Sequence, residues 1–162
     1  MNEESIFPAP GHDHSECTGA VLAHAELVCS RRGARLTKLR RDVLQALADD
    51  HQAVGAYDVM ARMAGPDQAA PAPISVYRAL EFLEAHGLVH KIESLNAYVA
   101  CRHGHSGERT VLLICEACGM VAEIPGENAF KALDHEAGLQ GFRSEKAIVE
   151  LSGRCGRCVE AK

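Results

Sequence analysis

Tryptophan is absent from this chain of 162 residues, and the aromatic complement is only four phenylalanines and three tyrosines. A core has to be assembled from Leu, Val, Ile and Ala. No apolar run approaches the roughly 20 residues that a bilayer-spanning helix needs. The opening Met1-Asn2-Glu3-Glu4-Ser5 lacks the positive region and apolar stretch of a secretory signal. A cytoplasmic protein is therefore expected. An excess of positive charge is missing too: the net charge is -5, which gives no chain-wide attraction to nucleic acid. The average hides a basic patch, since Arg31, Arg32, Arg35, Lys38, Arg40 and Arg41 crowd into one short segment. No internal repeat, nucleophile elbow or phosphate loop is present. The length permits one ordinary domain or two small ones.

Against this sparse background stand seven cysteines. In a reducing compartment, metal explains them better than disulfides do. Four form two matched pairs, Cys115-Glu116-Ala117-Cys118 and Cys155-Gly156-Arg157-Cys158. A C-x-x-C loop turns the backbone so that both thiolates face one point. Two such loops supply the four sulfurs of a tetrahedral zinc site. The gap between the pairs is wider than a simple zinc ribbon allows, so a shared metal would staple a strand near Cys115 to the far end of a small subdomain. Two unrelated redox or buried pairs are the plainer alternative. Cys29 lies on an apolar stripe and reads as a small buried hydrophobe, and Cys17 carries no assigned role.

Residues 1–17, with Pro8, Pro10, Gly11, His12 and His14, read as a mobile tail. His12 and His14 are more simply polar tail residues than metal ligands. From about residue 18 the spacing of Val21, Leu22, Ala25, Val28 and Cys29 predicts a helix that Gly33 ends. Thr37 is a plausible N-cap for a second, with Leu39, Val43, Leu44 and Leu47 as its stripe. A third starts near Ala56 and stops at Gly65-Pro66. Behind Pro71-Ala72-Pro73, a fourth carries Val76, Leu80 and Leu83 inward and Ser75, Tyr77 and Arg78 elsewhere, with Gly87 closing it. Leu88 to Glu93 and Ala97 to Cys101 read as two short strands around a turn at Asn96. This is the order of a winged helix-turn-helix, whose fourth helix is placed to enter a major groove. Residues 102–107 are a Gly/His-rich hinge. Strands Arg109 to Cys115, Met120 to Ile124 and Arg143 to Leu151, and a helix from Asn128 to Ala137 ending at Gly138, complete a small α/β unit over 108–162. The expected class is α+β, a winged-helix DNA-binding domain over 18–101 followed by a dimerisation and metal-binding domain.

Leu36-Thr37, Ser75-Val76-Tyr77-Arg78-Ala79-Leu80, Gly87-Leu88-Val89-His90-Lys91 and Cys115-x-x-Cys118-Gly119, in that order, resemble the ferric uptake regulator family. Ala56-Tyr57-Asp58, His90-Lys91-Ile92-Glu93-Ser94 and Tyr98-Val99-Ala100-Cys101 resemble its zinc-responsive branch. The resemblance covers about residues 20–160. It implies a homodimeric, metal-dependent repressor of zinc-uptake genes that binds a palindromic operator. It also implies two zinc ions per monomer. A structural one belongs to Cys115, Cys118, Cys155 and Cys158. A regulatory one belongs at the hinge, on positions matching His90, Cys101 and Glu123 plus a histidine from the following loop. Here the sequence departs from the pattern. Counting back from Cys115 without a gap puts Glu108 where that histidine is expected, and the loop offers His103 and His105. His105 lies further from Cys101 and can fold back to share its metal; His103 is the fallback. Thr110-Val111-Leu112-Leu113 stands where iron-sensing members carry histidines, which argues against an iron or peroxide sensor.

A sulfur, two imidazoles and a carboxylate suit Zn²⁺. Taken alone, His90 is an ordinary strand histidine and Glu123 a surface carboxylate; Cys101 and His105 nearby favour the ligand reading of His90. His135 is not assigned to the site. For DNA, Arg78 is the preferred base-reading residue, since arginine pairs bidentately with a guanine edge. Tyr77 could make apolar or phosphate contacts, Ser75 sits beside it, and Tyr57 is a candidate by family analogy. Arg35 and Lys38, within the basic run, would meet phosphates. An enzyme is not expected: His24-Ala25-Glu26 matches half of a zinc-deaminase motif, but Ile114 rather than proline precedes Cys115. A thiol oxidoreductase would leave one C-x-x-C unexplained. The remaining alternatives are a family member sensing another metal, and a metal-independent DNA-binding regulator with only a structural zinc.

Overall fold

The computed structural model describes residues 6–7, 13–66, 68–102 and 109–160. Four helices come first: α1 (His14–Arg31), α2 (Lys38–Ala48), α3 (Ala56–Met63) and α4 (Pro73–Ala85). The hairpin β1 (Val89–Ile92) and β2 (Ala97–Ala100) follows, with one 3₁₀ turn, Glu93–Leu95, between the strands. The chain closes with β3 (Thr110–Cys115), β4 (Val121–Pro125), α5 (Glu127–Leu139), β5 (Val149–Gly153) and α6 (Gly156–Glu160). This is the expected α+β winged helix-turn-helix followed by a small α/β unit. Among the described residues, no helix is long and apolar enough to cross a membrane.

Local chemistry sets the boundaries. Helix α1 begins at His14 rather than near residue 18, because the Asp13 carboxylate accepts from the Ser15 N–H at 2.9 Å and Glu16 lies in the first turn. Thr37 caps α2 as expected, accepting from the Arg40 N–H. Pro73 starts α4, where a missing N–H costs nothing. Gly87, at φ 69°, ends it, with Leu88 N–H donating to the Leu83 carbonyl and Gly87 N–H to that of Glu84. Asn96 turns the hairpin in a left-handed conformation.

Two further expectations shift, and one short helix was not foreseen. Helix α5 runs through Gly138 to Leu139, because the left-handed residue that closes it is Gly141 and Phe142 N–H bonds the Ala137 carbonyl. The last strand starts at Val149, not Arg143. It pairs in parallel with β3, Val149 opposite Val111, and β3 begins only one residue earlier, so residues 143–148 have no strand to pair with. Helix α6, which winds through the second C-x-x-C, left no periodic signal because it has only five residues.

The hairpin is antiparallel, with His90 opposite Val99. The second sheet has the order β4-β3-β5, antiparallel on one side of β3 and parallel on the other. The main core fills the helical half and includes Leu44, Leu47, Leu80 and Leu83, each 0% exposed. Burying each such side chain contributes about 1.5–3 kcal/mol. A smaller cluster joins the halves: Ile92 and Val99 of the wing pack with Leu112, Ile114 and Val121 of the sheet. The segment 51–54 stitches the same joint. Val54 exchanges both backbone hydrogen bonds with Tyr98 of β2 at 2.8 Å, while the His51 carbonyl accepts from Val121 N–H of β4 at 2.9 Å.

Candidate metal centres and nucleic-acid face

Cys115 ends β3, Cys118 follows in the tight turn to β4, and Cys155 and Cys158 flank the start of α6. The ligand atoms of all four lie within 4.8 Å of one another. Cys118 and Cys155 Sγ are 3.9 Å apart, close to the roughly 3.8 Å edge of a tetrahedron with about 2.3 Å zinc–sulfur bonds. The turn depends on Gly119, at φ 72°, whose N–H reaches the Cys115 carbonyl at 2.8 Å. The Cys155 N–H donates to Cys115 Sγ at 3.3 Å and, with further backbone donors, brings that thiol down to about 6. Hydrogen bonding to Cys155, and then burial, push Cys158 up to about 12. Sulfurs this close ionise together only around a cation, so the donor set fits a closed zinc site of four thiolates.

The second cluster lies at the joint. His90 projects from β1, Cys101 follows the end of β2, and Glu123 projects from β4. Glu123 Oε2 is 3.2 Å from His90 Nε2 and 3.4 Å from Cys101 Sγ. Edges near 3.3 Å are what tetrahedral zinc with bonds of about 2.0–2.3 Å requires. Glu123 is only 8% exposed and Cys101 2%. Burial alone would raise the Glu123 pKa; hydrogen bonding to His90, the pair's attraction, and donors from Cys101 and the Arg102 N–H together hold it below the usual carboxylate value. For His90, burial disfavours the charge, but Cys101 and Glu123 outweigh it and push the imidazole up to about 10. Glu123 thus lies against both His90 and Cys101. His105 and His103, the candidates for a fourth ligand, lie outside the described residues.

At the far end of the helical half, Ser75, Arg78, Thr37 and Arg40 line one shallow cleft of about 220 Å³ between the N-terminal ends of α2 and α4. Tyr57 is 74% exposed on α3, and Tyr77 is 37% exposed on α4. Arg35 and Arg78 are exposed and make no side-chain hydrogen bond or ion pair among the described residues. The rest of the basic run is partly committed to the protein itself. Lys38 pairs with Asp42 at 2.6 Å and Arg41 with Glu26. Arg40 stacks on the Phe82 ring at 3.5 Å, and Arg32 reaches the Ala85 carbonyl.

Residues 31–152 match the model of the ferric uptake regulator family. The chain belongs to that family. The zinc uptake regulation protein of Escherichia coli strain K12 is 36% identical over 146 residues, covering 90% of this chain and 85% of that protein. A solved zinc uptake regulator complexed with zinc and DNA superposes with a TM-score of 0.80 at 36% identity, covering 88% of this chain and 95% of that one. The crystal structure of holo XcZur gives 0.79 at 38% identity, covering 89% and 99%.

Within this ferric uptake regulator fold, several joint residues escaped the sequence reading. Arg102 donates its N–H to Glu123 Oε1 at 3.3 Å, while its guanidinium reaches His51 Nε2 at 2.8 Å and the Asp50 carbonyl at 3.2 Å. Gln52 donates from Nε2 to the Cys118 carbonyl at 3.1 Å, so the helical half touches the four-cysteine cluster at its turn. Only the adjacency of Arg102 to Cys101 could have flagged any of these. The raised His90 pKa has a consequence for metal binding, because an imidazole must lose its proton to become a ligand. Between pH 6 and 8, zinc affinity at the joint should rise by about tenfold or more per pH unit, followed by chelator competition. A flat profile would mean that neither His90 nor Cys101 binds the metal.

Proposed function

We propose that this chain is a zinc-dependent transcriptional repressor of zinc-uptake genes, a regulator rather than an enzyme, acting as a cytoplasmic homodimer on a palindromic operator. The observation that carries the reading is the meeting of His90, Cys101 and Glu123, three donors from three elements, at the joint between wing and sheet. Their N, S and O donor set suits zinc and speaks against the oxygen-rich or all-nitrogen sites expected of a manganese or nickel sensor. The names of the relatives, a zinc uptake regulation protein and a zinc uptake regulator complexed with zinc and DNA, support the same function.

Two zinc ions per monomer are proposed. Cys115, Cys118, Cys155 and Cys158 hold the structural one. His90, Cys101, Glu123 and His105, with His103 as fallback, hold the regulatory one. Bound there, zinc supplies a cross-link between wing and sheet that favours one arrangement of the two halves. Residues 18–101 form the DNA-binding domain, with α1 reaching back into the tail assigned to 1–17; residues 102–107 are the hinge and 108–162 the dimerisation domain. Exposed Leu133, Leu139, Phe142, Ile148, Leu151 and Val159, all in this last part, support a self-association surface there. In the repressing arrangement α4 enters the major groove. Arg78 reads a base; Tyr57, Ser75 and Tyr77 contact DNA beside it, and Arg35 and Lys38 meet phosphates.

Cys101→Ser should abolish zinc-dependent DNA binding and leave a folded dimer, whereas Cys115→Ser should unfold or dissociate it. A structural zinc is worth about 10–16 kcal/mol of apparent binding energy to a small fold. Circular dichroism, sizing and fluorescence anisotropy with labelled DNA separate the two; identical behaviour of both variants would end the division into two sites. Arg78→Ala should cost about 1–3 kcal/mol on the specific operator and much less on random DNA. Equal losses would make Arg78 a phosphate contact.

A further inference from the structure

The joint holds a second carboxylate that touches none of the proposed ligands. Leu112 on β3 is flanked by two glutamates in one cross-strand row, Glu123 across the antiparallel ladder and Glu150 across the parallel one. Side chains in one row leave the same face of a sheet, and two strand spacings separate them by about 9.5 Å. His90 and Glu93 lie three residues apart, which is about 10 Å of extended chain. The two spacings match, so the wing strand lies across the sheet with one glutamate under each end. His90 Nε2 meets Glu123 Oε2 at 3.2 Å. At the other end, the Glu150 carboxylate accepts from the backbone N–H groups of Glu93 at 2.7 Å and Ser94 at 3.2 Å. Ile92, 0% exposed, packs in one apolar cluster with Leu112 between the two grips.

We propose that Glu150 is a positioning residue for the regulatory site, setting its zinc affinity through the wing without touching the metal. This rests on the reading of His90, Cys101 and Glu123 as a zinc site. His90 comes within reach of Glu123 only when the wing lies on the sheet, and both Glu150 hydrogen bonds exist only in that arrangement. The affinity observed for a ligand falls with the fraction of protein in the competent arrangement. Hydrogen bonds to a charged acceptor are among the stronger ones, so losing them shifts that fraction appreciably. The ligands themselves are unaltered, and enough zinc restores full occupancy. The two bonds run to main-chain donors, so they act whatever side chains occupy the turn.

The test measures Zn²⁺ binding to the 162-residue protein by competition with a chromophoric chelator, for the unsubstituted chain, Glu150→Ala and Glu150→Gln. Glu150→Ala is expected to move the midpoint of the exchangeable zinc to about 3–30-fold higher free zinc. Glu150→Gln, which keeps one acceptor oxygen, should fall between. The saturating stoichiometry and the zinc held tightly by the four cysteines should stay unchanged, which general damage to the sheet would not leave intact. Midpoints within twofold for both variants would overturn the role of Glu150 alone. So would a variant that also loses the tightly held zinc, because the sheet itself would then be damaged. An unsubstituted protein with no exchangeable zinc would instead overturn the joint-site reading, and this inference with it.

Discussion

A carboxylate buried at the joint between two halves of a protein needs a cation, and Glu123 is such a group. Its side chain lies between wing and sheet, within hydrogen-bonding reach of His90, Cys101 and the Arg102 N–H. An uncompensated charge there would be costly. The Arg102 N–H and an imidazolium at His90 offset it here, and a metal held jointly with Cys101 would compete with that proton for the same donors. That competition is the physical core of the proposed switch. It couples the chemistry of one small cluster to the angle at which the helical half meets the sheet.

The two cysteine-containing clusters divide the work through their placement. The four-cysteine cluster joins the end of β3 to the last described helix, within one half of the molecule. A metal held there would stabilise that half without bridging to the other. The second cluster draws on both halves, so a metal held there would tie them together. Gln52 at the Cys118 carbonyl and the backbone pairing of His51 with Val121 show that the halves also touch beside the first cluster. The joint is therefore a broad contact, with apolar packing at its centre and polar ties around it.

Much of this could be read before the structure, for identifiable reasons. The cysteine pairs advertise themselves because C-x-x-C geometry is local, and four thiols placed to share a metal leave a spacing in the chain. The helices of the first half showed through the recurrence of Val43, Leu44 and Leu47, or Val76, Leu80 and Leu83, because one buried face repeats at the helical period. The convergence of His90, Cys101 and Glu123 was reached through family resemblance; no spacing rule brings residues on three separate elements together. Glu150, Arg102 and Gln52 stayed invisible because each is an ordinary surface residue type whose partner lies far away in sequence. The late start of β5 was hidden for a related reason: residues 143–148 resemble a strand, but a strand exists only where a neighbour is available to pair with it.

The division between a permanent clasp and a responsive joint is open to one direct measurement. Zinc per monomer would be counted by elemental analysis before and after mild chelation, with binding to operator DNA followed on the same samples. Two zinc ions falling to one, with DNA binding lost and then regained when zinc is restored, is the predicted result. A single zinc throughout, with unchanged DNA binding, would contradict it and leave a constitutive DNA-binding protein in which His90, Cys101 and Glu123 form no more than a buried hydrogen-bonded cluster.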